Sequence, residues 1–257
     1  MQWSYSRLKS FETCRYAWYL KYLYGLKEKP NFYASYGSFV HNLIEKYYRD
    51  EISLQDLPVN FLKGFSYFVV GKRPKEEIVD KYMEAGFNYF RIFKPMPYEM
   101  VSIEEKTEFS IGGMKFVGFI DFLGKNDDGL AIVDHKSRDL KPRTGRKKPT
   151  KSDDELSQYL RQLYLYSVGV QEKHGSLPKR LCFNCFKSCV FIDEPFDSNA
   201  FDDAKTWAIK TIETIRRTED FYPTFDWFYC TYLCGFNDEC CYYEIMKAGD
   251  RHGSGRY

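Results

Sequence analysis

The chain has 257 residues, a formal net charge of +2, and an aromatic content of 19%. This length and composition suit one large packed domain and exclude a small disulfide-stapled peptide or a wholly disordered chain. Because the net charge is near zero, only a local basic patch could hold an acidic polymer. The sequence shows no secretory leader and no run of about 18 apolar residues, so we expect a cytoplasmic protein without a membrane partner.

Helices are predicted to dominate the first hundred residues. Apolar residues at three-to-four spacing predict a helix over residues 4–24, with Ser4 as its cap and Gly25 at its end. A second helix is predicted over residues 38–51. One or two more are predicted between residues 57 and 98, around residues 75–91, where prolines interrupt the pattern.

The pattern changes to strands at residue 101. Strands over residues 101–109, 115–123 and 130–136, joined by turn-forming residues, predict an antiparallel meander. A basic loop follows, and a capping box at residues 152–155 predicts a helix that runs to about residue 170. The chain then continues with a strand near residues 181–192, a helix near residues 200–217, a cysteine-rich segment and, at residues 249–257, a predicted frayed tail.

Three charged side chains are predicted to share one face of the meander. Asp134 and Lys136 are two residues apart on one strand, so their side chains leave the same face. Asp121 of the preceding strand lies opposite Asp134 or opposite Lys136, depending on which two residues form the turn. Neighbouring carboxylates favour a cation between them, and hard oxygen ligands favour Mg²⁺ or Mn²⁺. With a nearby ammonium this set suits phosphodiester hydrolysis, although an isolated D-x-K more often marks a solvated hairpin.

Four motifs in the correct order resemble the PD-(D/E)XK nuclease superfamily, and more narrowly its RecB-like branch. They are G-x-x-x-H at residues 37–41, G-x-I-D at residues 118–121, D-x-K at residues 134–136 and Q-x-x-x-Y at residues 162–166. The resemblance implies an α/β fold with a mixed central sheet flanked by helices. It also implies a single nuclease domain over residues 1–257, with its core at about residues 35–192.

The resemblance also implies roles for individual residues. The catalytic residues would be Asp121, Asp134 and Lys136. Manganese or magnesium would be held by His41, Asp121, Asp134 and the backbone carbonyl of His135.

Further residues are candidates for support of the site. Gln162 and Tyr166 are one helical turn apart and could contact the DNA backbone or brace the site. Glu45 is a further acidic candidate. The family usually has a glutamate on the strand before G-x-I-D, and Glu105 is our candidate for it. The position is contested within the set Glu104, Glu105 and Glu108.

Eight cysteines favour metal binding or burial over disulfides in a reducing compartment. The set Cys14, Cys230, Cys234 and Cys240 resembles the iron-sulfur subset of the RecB-like branch, which includes the CRISPR-associated four-cysteine exonuclease family and the AddB nuclease domain. The resemblance implies a 4Fe-4S cluster that clasps residues 4–25 to residues 225–245. Zinc is the chemical alternative for four cysteines.

The cysteine pattern departs from that subset in two places. Arg15 follows the first cysteine where the family usually has proline, and three residues instead of two separate Cys230 from Cys234. Cys241 competes with Cys240 as the last ligand. The remaining cysteines are expected to be buried on a strand, and they are Cys182, Cys185 and Cys189.

The local basic patch lies directly after the D-x-K strand, between residues 138 and 151. We expect Arg146, Lys147 and Lys148 of this loop to contact phosphates of DNA.

The family resemblance implies cleavage of DNA, most often from single-stranded ends, in recombination, repair or phage replication. The sequence contains no G-x-x-x-x-G-K motif, so a helicase or recombination partner would supply a motor. Two other functions stay open at this point: a non-catalytic DNA-end-binding subunit and a zinc-stabilised RNA nuclease.

Overall fold

The computed structural model describes residues 2–252 and contains a five-stranded sheet. Chain order and spatial order agree for its strands, which are β1 (Glu99–Ile111), β2 (Met114–Asn126), β3 (Gly129–Lys136), β4 (Arg180–Cys185) and β5 (Val190–Pro195). Strands β3 and β4 are parallel, and the other neighbours are antiparallel. The sheet is therefore mixed, as predicted.

Helices cover both faces of this sheet, which confirms the predicted fold class. They are α1 (Tyr5–Thr13), α2 (Arg15–Tyr22), α3 (Phe32–Tyr48), α4 (Leu57–Phe68), α5 (Glu76–Arg91), α6 (Lys151–His174), α7 (Ser198–Arg217) and α8 (Cys241–His252). Helix α6 makes the crossover that parallel pairing of β3 and β4 requires. Within the described residues, no helix combines the length and apolar character needed to span a bilayer.

Two apolar cores hold the sheet between its helical layers. One core joins the sheet to α1, α6 and α7 and contains Ile132 and Phe183. The other joins the sheet to α3, α4 and α5 and contains Phe122 and Val133. A slip of one residue in the pairing would exchange the two faces of a strand, so these cores fix the register that positions the charged residues.

The predicted first helix is in fact two helices that meet at Cys14. Cys14 is extended, with φ −156° and ψ 111°, and its N–H donates to the carbonyl oxygen of Ser10 at 2.9 Å. The apolar spacing continues through this break, which is why the periodicity predicted one helix. The break places the Cys14 side chain against the C-terminal part of the chain.

Helix α3 begins at Phe32, six residues before the predicted start at residue 38. Asn31 caps it, because its side-chain oxygen accepts a hydrogen bond from the backbone N–H of Ala34 at 2.9 Å. The predicted strand over residues 181–192 is also different, since it forms the hairpin of β4 and β5. Cys189 turns the chain there with φ +56°.

Helix α6 is longer than predicted at both ends. Thr150, rather than Ser152, caps it in a reciprocal capping box with Asp153. The helix ends at Gly175, which has φ +78°, instead of near residue 170. Helix α8 includes residues 249–252 of the predicted tail, and residues 253–257 lie outside the described residues.

Helix α6 lies so close to β2 that Gly118 has no room for a side chain. A Cβ at Gly118 would lie 2.3 Å from Cε1 of Tyr166. We therefore expect Gly118→Ala to lower the free energy of unfolding by about 1–3 kcal/mol, because the ring or the strand must shift. Urea unfolding measures this cost, which should be smaller in a Tyr166→Leu background. An alanine variant as stable as the wild type would contradict the close contact.

Candidate active site

The β2–β3 turn settles which residues face each other across the two strands. Asn126 pairs with Gly129, and Phe122 pairs with Val133, so the turn consists of the two aspartates between Asn126 and Gly129. Continued by one residue, this register places Asp121 opposite Asp134. Of the two predicted registers, the structure has the one that sets the carboxylates against each other.

The His135 peptide unit connects two of the predicted site residues. Its N–H donates to Asp121 Oδ2 at 2.7 Å, and its carbonyl oxygen lies 2.9 Å from Nε2 of His41. Since a carbonyl can only accept, His41 Nε2 carries the proton in this contact. The other ring nitrogen of His41 lies 3.5 Å from Asp121 Oδ2. The G-x-x-x-H helix and the D-x-K strand thus meet at one point.

Glu104 completes a potential metal site with His41 and Asp121. One ligand atom from each of these three residues lies within 4.8 Å of the other two, and no other such group of His, Cys, Asp or Glu occurs among residues 2–247, whose side chains the structure describes. Asp134 lies outside this triangle. The charge and hardness of two carboxylates and one imidazole suit a divalent cation such as Mg²⁺ or Mn²⁺.

The acidic candidates Glu104 and Glu105 on β1 differ sharply in their surroundings. Glu105 is turned away from the cleft and bonded to Ser102, Lys173 and His174. Our choice of Glu105 is therefore replaced by Glu104. The irregular backbone explains the difference, since Glu104 has φ +49° near a register shift between residues 100 and 102. Such a φ is strained for a non-glycine residue, and period-two alternation could not have revealed it.

Asp134, Lys136 and Gln162 form a closed set of contacts. Lys136 Nζ lies 2.6 Å from Asp134 Oδ2 and donates to Gln162 Oε1 at 2.9 Å. Gln162 Nε2 donates to Asp134 Oδ1 at 2.8 Å and to the Tyr166 hydroxyl at 3.2 Å. Gln162 and Tyr166 therefore brace the carboxylate and the lysine from α6.

One oxygen of this set, Asp134 Oδ2, faces Lys136. It is buried and lies 2.6 Å from Lys136 Nζ, whose positive charge compensates the carboxylate. Asp134 therefore has a cationic partner within the chain. The fit to the divalent metal that the family implies rests on the neighbouring triangle, whose two carboxylates and one imidazole are suitable ligands.

Burial and neighbouring charge set the protonation of the site. Burial, together with the charge of Asp134, raises the pKa of Asp121 to about 7. Burial also raises the pKa of Glu104 and lowers that of His135 well below its usual value, so His135 is neutral. For Lys136, burial would lower the pKa, but the contact with Asp134 raises it overall. Lys136 is therefore a protonated ammonium at neutral pH.

The site opens into a cleft of about 570 Å³. One wall is a single face of α3 with residues at intervals of four, namely Tyr33, Gly37, His41 and Glu45. The opposite wall includes Glu104, Lys136 and Ser137. Glu45 lies in the α3 wall and pairs with Arg49 at 2.8 Å. It is not part of the metal triangle.

The basic loop after β3 is largely exposed. Arg143 pairs with Glu194, and Arg138 pairs with Glu155. In contrast, the three cations that we selected are exposed and form no ion pair with a side chain of residues 2–247; they are Arg146, Lys147 and Lys148. Their charge is free for an anionic partner.

Four cysteines from both ends of the chain line one small apolar cavity. They are Cys14, Cys230, Cys234 and Cys240. Cys241 lies outside the cavity wall, exposed, with its sulfur 3.7 Å from the Tyr16 hydroxyl. Burial raises the pKa of Cys234 to about 12 and also raises the pKa of Cys230 and Cys240, so these three thiols would be protonated without a bound metal.

The strand cysteines differ from one another. Cys182 and Cys185 are buried on β4, as expected, and Cys182 donates to Asp193 at 3.2 Å. Cys189 is exposed in the β4–β5 turn, so its predicted burial is wrong. The expected single strand is interrupted at this residue.

The sheet with its opposed carboxylates, adjacent lysine and bracing glutamine is the framework of a metal-dependent nuclease. The sequence profile of the PD-(D/E)XK nuclease superfamily matches residues 2–241, and the chain belongs to this superfamily.

One solved structure supports this fold. A protein of Eubacterium rectale named as a proposed exonuclease shares 15% identity and a TM-score of 0.51, with 84% of this chain and 80% of that chain covered. The structure of SSO0001 shares 16% identity over 80% of this chain and 95% of that chain, but its TM-score of 0.31 is too low to support an argument. No curated protein matches the sequence.

The raised pKa of Asp121 predicts pH-dependent metal binding. At a pH below about 7, the pKa of this carboxyl group, Asp121 is protonated and must lose its proton before it can hold a cation. We expect Mn²⁺ to bind about fivefold more tightly at pH 7 than at pH 6, and about tenfold more tightly at pH 8 than at pH 6, with a plateau above pH 8. Calorimetry in buffers of different ionisation enthalpy would detect about one proton released at pH 6. Binding that is independent of pH over this range, without proton release, would contradict the assignment.

The stability of the metal-free protein should decrease as the pH rises, whereas metal binding becomes tighter. Because the pKa of Asp121 is higher in the folded chain than in the unfolded chain, the folded state retains a proton between about pH 4 and 7 that the unfolded state has lost. The contribution of this group to stability is therefore present at low pH and is lost as the pH rises through about 7.

Proposed function

We propose that the protein is a metal-dependent deoxyribonuclease that degrades DNA from single-stranded ends. The observation that carries this proposal is the convergence of Asp121, Asp134 and Lys136 in one cleft, with His41 and Glu104 at cation-binding distance from Asp121. The superfamily membership supports hydrolysis of a phosphodiester. The preference for DNA and for free single-stranded ends comes from the family resemblance.

The residues have separate roles in this proposal. His41, Glu104, Asp121, Asp134 and the His135 carbonyl would hold the cation. When bound, it would neutralise phosphate charge and lower the pKa of water. Lys136 orients the attacking water or holds a phosphate oxygen, since its ammonium is already directed by Asp134 and Gln162. The water then attacks phosphorus in line with the leaving oxygen.

The basic loop acts in positioning. Its free cations, Arg146, Lys147 and Lys148, follow the D-x-K strand closely in sequence, so they would contact phosphates that flank the cleaved one. Neither the loop nor its charges provide a ligand to the metal triangle.

We further propose that Cys14, Cys230, Cys234 and Cys240 bind a 4Fe-4S cluster. All four line the same apolar cavity. Four thiolates can hold either a 4Fe-4S cluster or tetrahedral zinc. The preference for the cluster comes from the family resemblance. The exposed position of Cys241 favours Cys240 as the fourth ligand.

The two other functions are less well supported. A non-catalytic DNA-end-binding subunit would not need Asp121, Asp134 and Lys136 together. A zinc-stabilised RNA nuclease would depart from the family resemblance in both its metal and its substrate. A role in recombination, repair or phage replication, with a helicase as partner, belongs to the same proposal, because an unwound strand is the substrate that it requires.

A substrate panel tests the proposal. Anaerobically purified protein would be incubated with Mn²⁺ and end-labelled single-stranded DNA, blunt duplex DNA or RNA of the same sequence. We expect short products from the single-stranded DNA at the highest rate. Preferential cleavage of RNA, with one zinc per chain, would favour the zinc-stabilised RNA nuclease. Tight binding to DNA ends without cleavage would favour the end-binding subunit.

A further inference from the structure

Four aromatic rings form a continuous row that begins in the candidate cleft. Tyr33 lines the cleft, and its ring lies 5.5 Å from that of Phe228. The next ring is Tyr232, 5.6 Å from Phe228, and the last is Trp227, 5.6 Å from Tyr232. We call these four residues the aromatic row. It connects α3, which carries His41, to the segment around the cysteine cavity.

The outer part of the aromatic row faces solvent. Trp227 is 54% exposed and Phe228 is 45% exposed, whereas Tyr33 and Tyr232 are half-buried. Large rings usually contribute most of their energy by burial, so this exposure is not explained by the packing of the chain itself. Rings in a row with exposed faces are the form of surface on which unpaired bases stack.

Positive charge borders the aromatic row. Lys72 Nζ lies 5.5 Å from the centre of the Tyr232 ring, and Arg73 and Lys75 follow in the same short loop. None of these three cations forms an ion pair with a carboxylate of residues 2–247, unlike Lys29 nearby, which pairs with Asp238. A border of free cations beside exposed rings matches a polymer that has both phosphates and bases.

The aromatic row is held in place relative to the cleft. Asn31, the cap of α3, donates from its side chain to the carbonyl oxygen of Leu233 at 3.1 Å and forms a backbone bridge with Lys72. Ser35, on the next turn of α3, donates to the carbonyl oxygen of Val70 at 2.6 Å. The ring-bearing segment and the basic loop are thus both attached to the helix that supplies His41.

The spacing along α3 relates the row to the site of chemistry. Tyr33 and His41 are eight residues apart on one helix, which corresponds to about 12 Å along its axis. A strand cleaved beside His41 would therefore reach the first ring within a few nucleotides.

We propose that the aromatic row binds a single strand of DNA that passes through the cleft, with its bases stacked on the rings and its phosphates beside residues 72–75. This inference rests on the proposed function and deepens it, because it names the surface that selects unpaired DNA. Bases within a duplex are already stacked on each other, so the rings discriminate against paired substrate.

Binding of a labelled strand tests the aromatic row directly. The probe is a fluorescein-labelled oligothymidylate of twenty nucleotides, bound to the full chain in EDTA and followed by anisotropy. We expect Trp227→Ala and Phe228→Ala each to weaken binding by about fivefold or more. Tyr67→Ala is the matched control, because Tyr67 is 76% exposed on α4, outside the row, and should change affinity less than twofold. Trp227→Phe and Phe228→Tyr should retain most of the affinity.

Two further substrates, bis(p-nitrophenyl) phosphate and blunt duplex DNA, distinguish failure of this inference from failure of the proposed function. Hydrolysis of bis(p-nitrophenyl) phosphate with Mn²⁺ should be unchanged in the alanine variants, since this small diester does not extend to the row. If the wild type hydrolyses neither this diester nor DNA, the proposed nuclease function fails. If the wild type cleaves DNA but the alanine variants bind it normally, the aromatic row is wrong and the surface suits a protein partner instead. An equal loss of affinity for blunt duplex would also overturn the inference.

Discussion

Replacing Lys136 with methionine should lower the rate of phosphodiester cleavage by about 100- to 1000-fold. The substitution removes the ammonium that Asp134 and Gln162 direct into the cleft but keeps a side chain of similar length. Loss of one directed donor in a catalytic site typically has an effect of that size. Single-turnover cleavage of an end-labelled DNA strand measures the chemical step.

A second variant distinguishes loss of the catalytic group from loss of the folded state. Lys136→Met alone leaves Asp134 as a buried charge without its cation, which can cost about 3–5 kcal/mol. The double variant Asp134→Asn/Lys136→Met removes both charges and should fold, yet stay inactive. Lys173→Met is the matched control, because this lysine also pairs with a carboxylate on the sheet, Glu105, but lies outside the cleft. Wild-type rates in the folded double variant would refute the role of this pair.

Replacing Cys14 with serine should remove most of the stability of the protein. Cys14 and Cys240 line one cavity, so the cluster proposed above would tie these two positions together and restrict most of the unfolded chain. The loop-closure relation for a cross-link over more than 200 residues gives about 5 kcal/mol, comparable with the whole stability of a typical domain. We expect a correspondingly lower urea midpoint and the loss of broad absorbance near 400 nm.

Colour and metal content decide what the four cysteines hold. Anaerobic wild-type protein should be brown and contain about four irons per chain. Cys189→Ser is the control, since Cys189 is exposed in a turn away from the cavity and should leave both colour and stability unchanged. A colourless protein with one zinc per chain would show that the four cysteines bind zinc instead of a cluster. A Cys14→Ser protein as stable as the wild type would refute the clasp.

Much of the candidate site could be predicted because it depends on short-range geometry. Asp134 and Lys136 share a face wherever residues 134–136 form a strand, and a two-residue turn leaves few ways to place Asp121. Gln162 and Tyr166 lie on one face of any helix that contains both. For these residues, correct local structure was sufficient to predict the contacts.

The unpredicted features depend on tertiary context. Glu104 faces the cleft because its backbone adopts a positive φ, and alternation alone cannot select it over Glu105. The apolar periodicity of residues 4–24 hides the extended conformation at Cys14, which is matched to a cavity built from the other end of the chain. Likewise, Phe228 approaches Tyr33 only after folding, so the sequence could not reveal the aromatic row.

Manganese-dependent cleavage in the wild type and in Asp121→Asn tests the central claim most directly. Asp121 faces Asp134, accepts from the His135 peptide and belongs to the triangle with His41 and Glu104. We predict that Mn²⁺ starts degradation of an end-labelled single strand by the wild type and that EDTA stops it. Asp121→Asn should stay folded and remain inactive at every Mn²⁺ concentration. Equal cleavage by the two proteins, or cleavage by the wild type in EDTA, would contradict a metal-dependent nuclease site in this cleft.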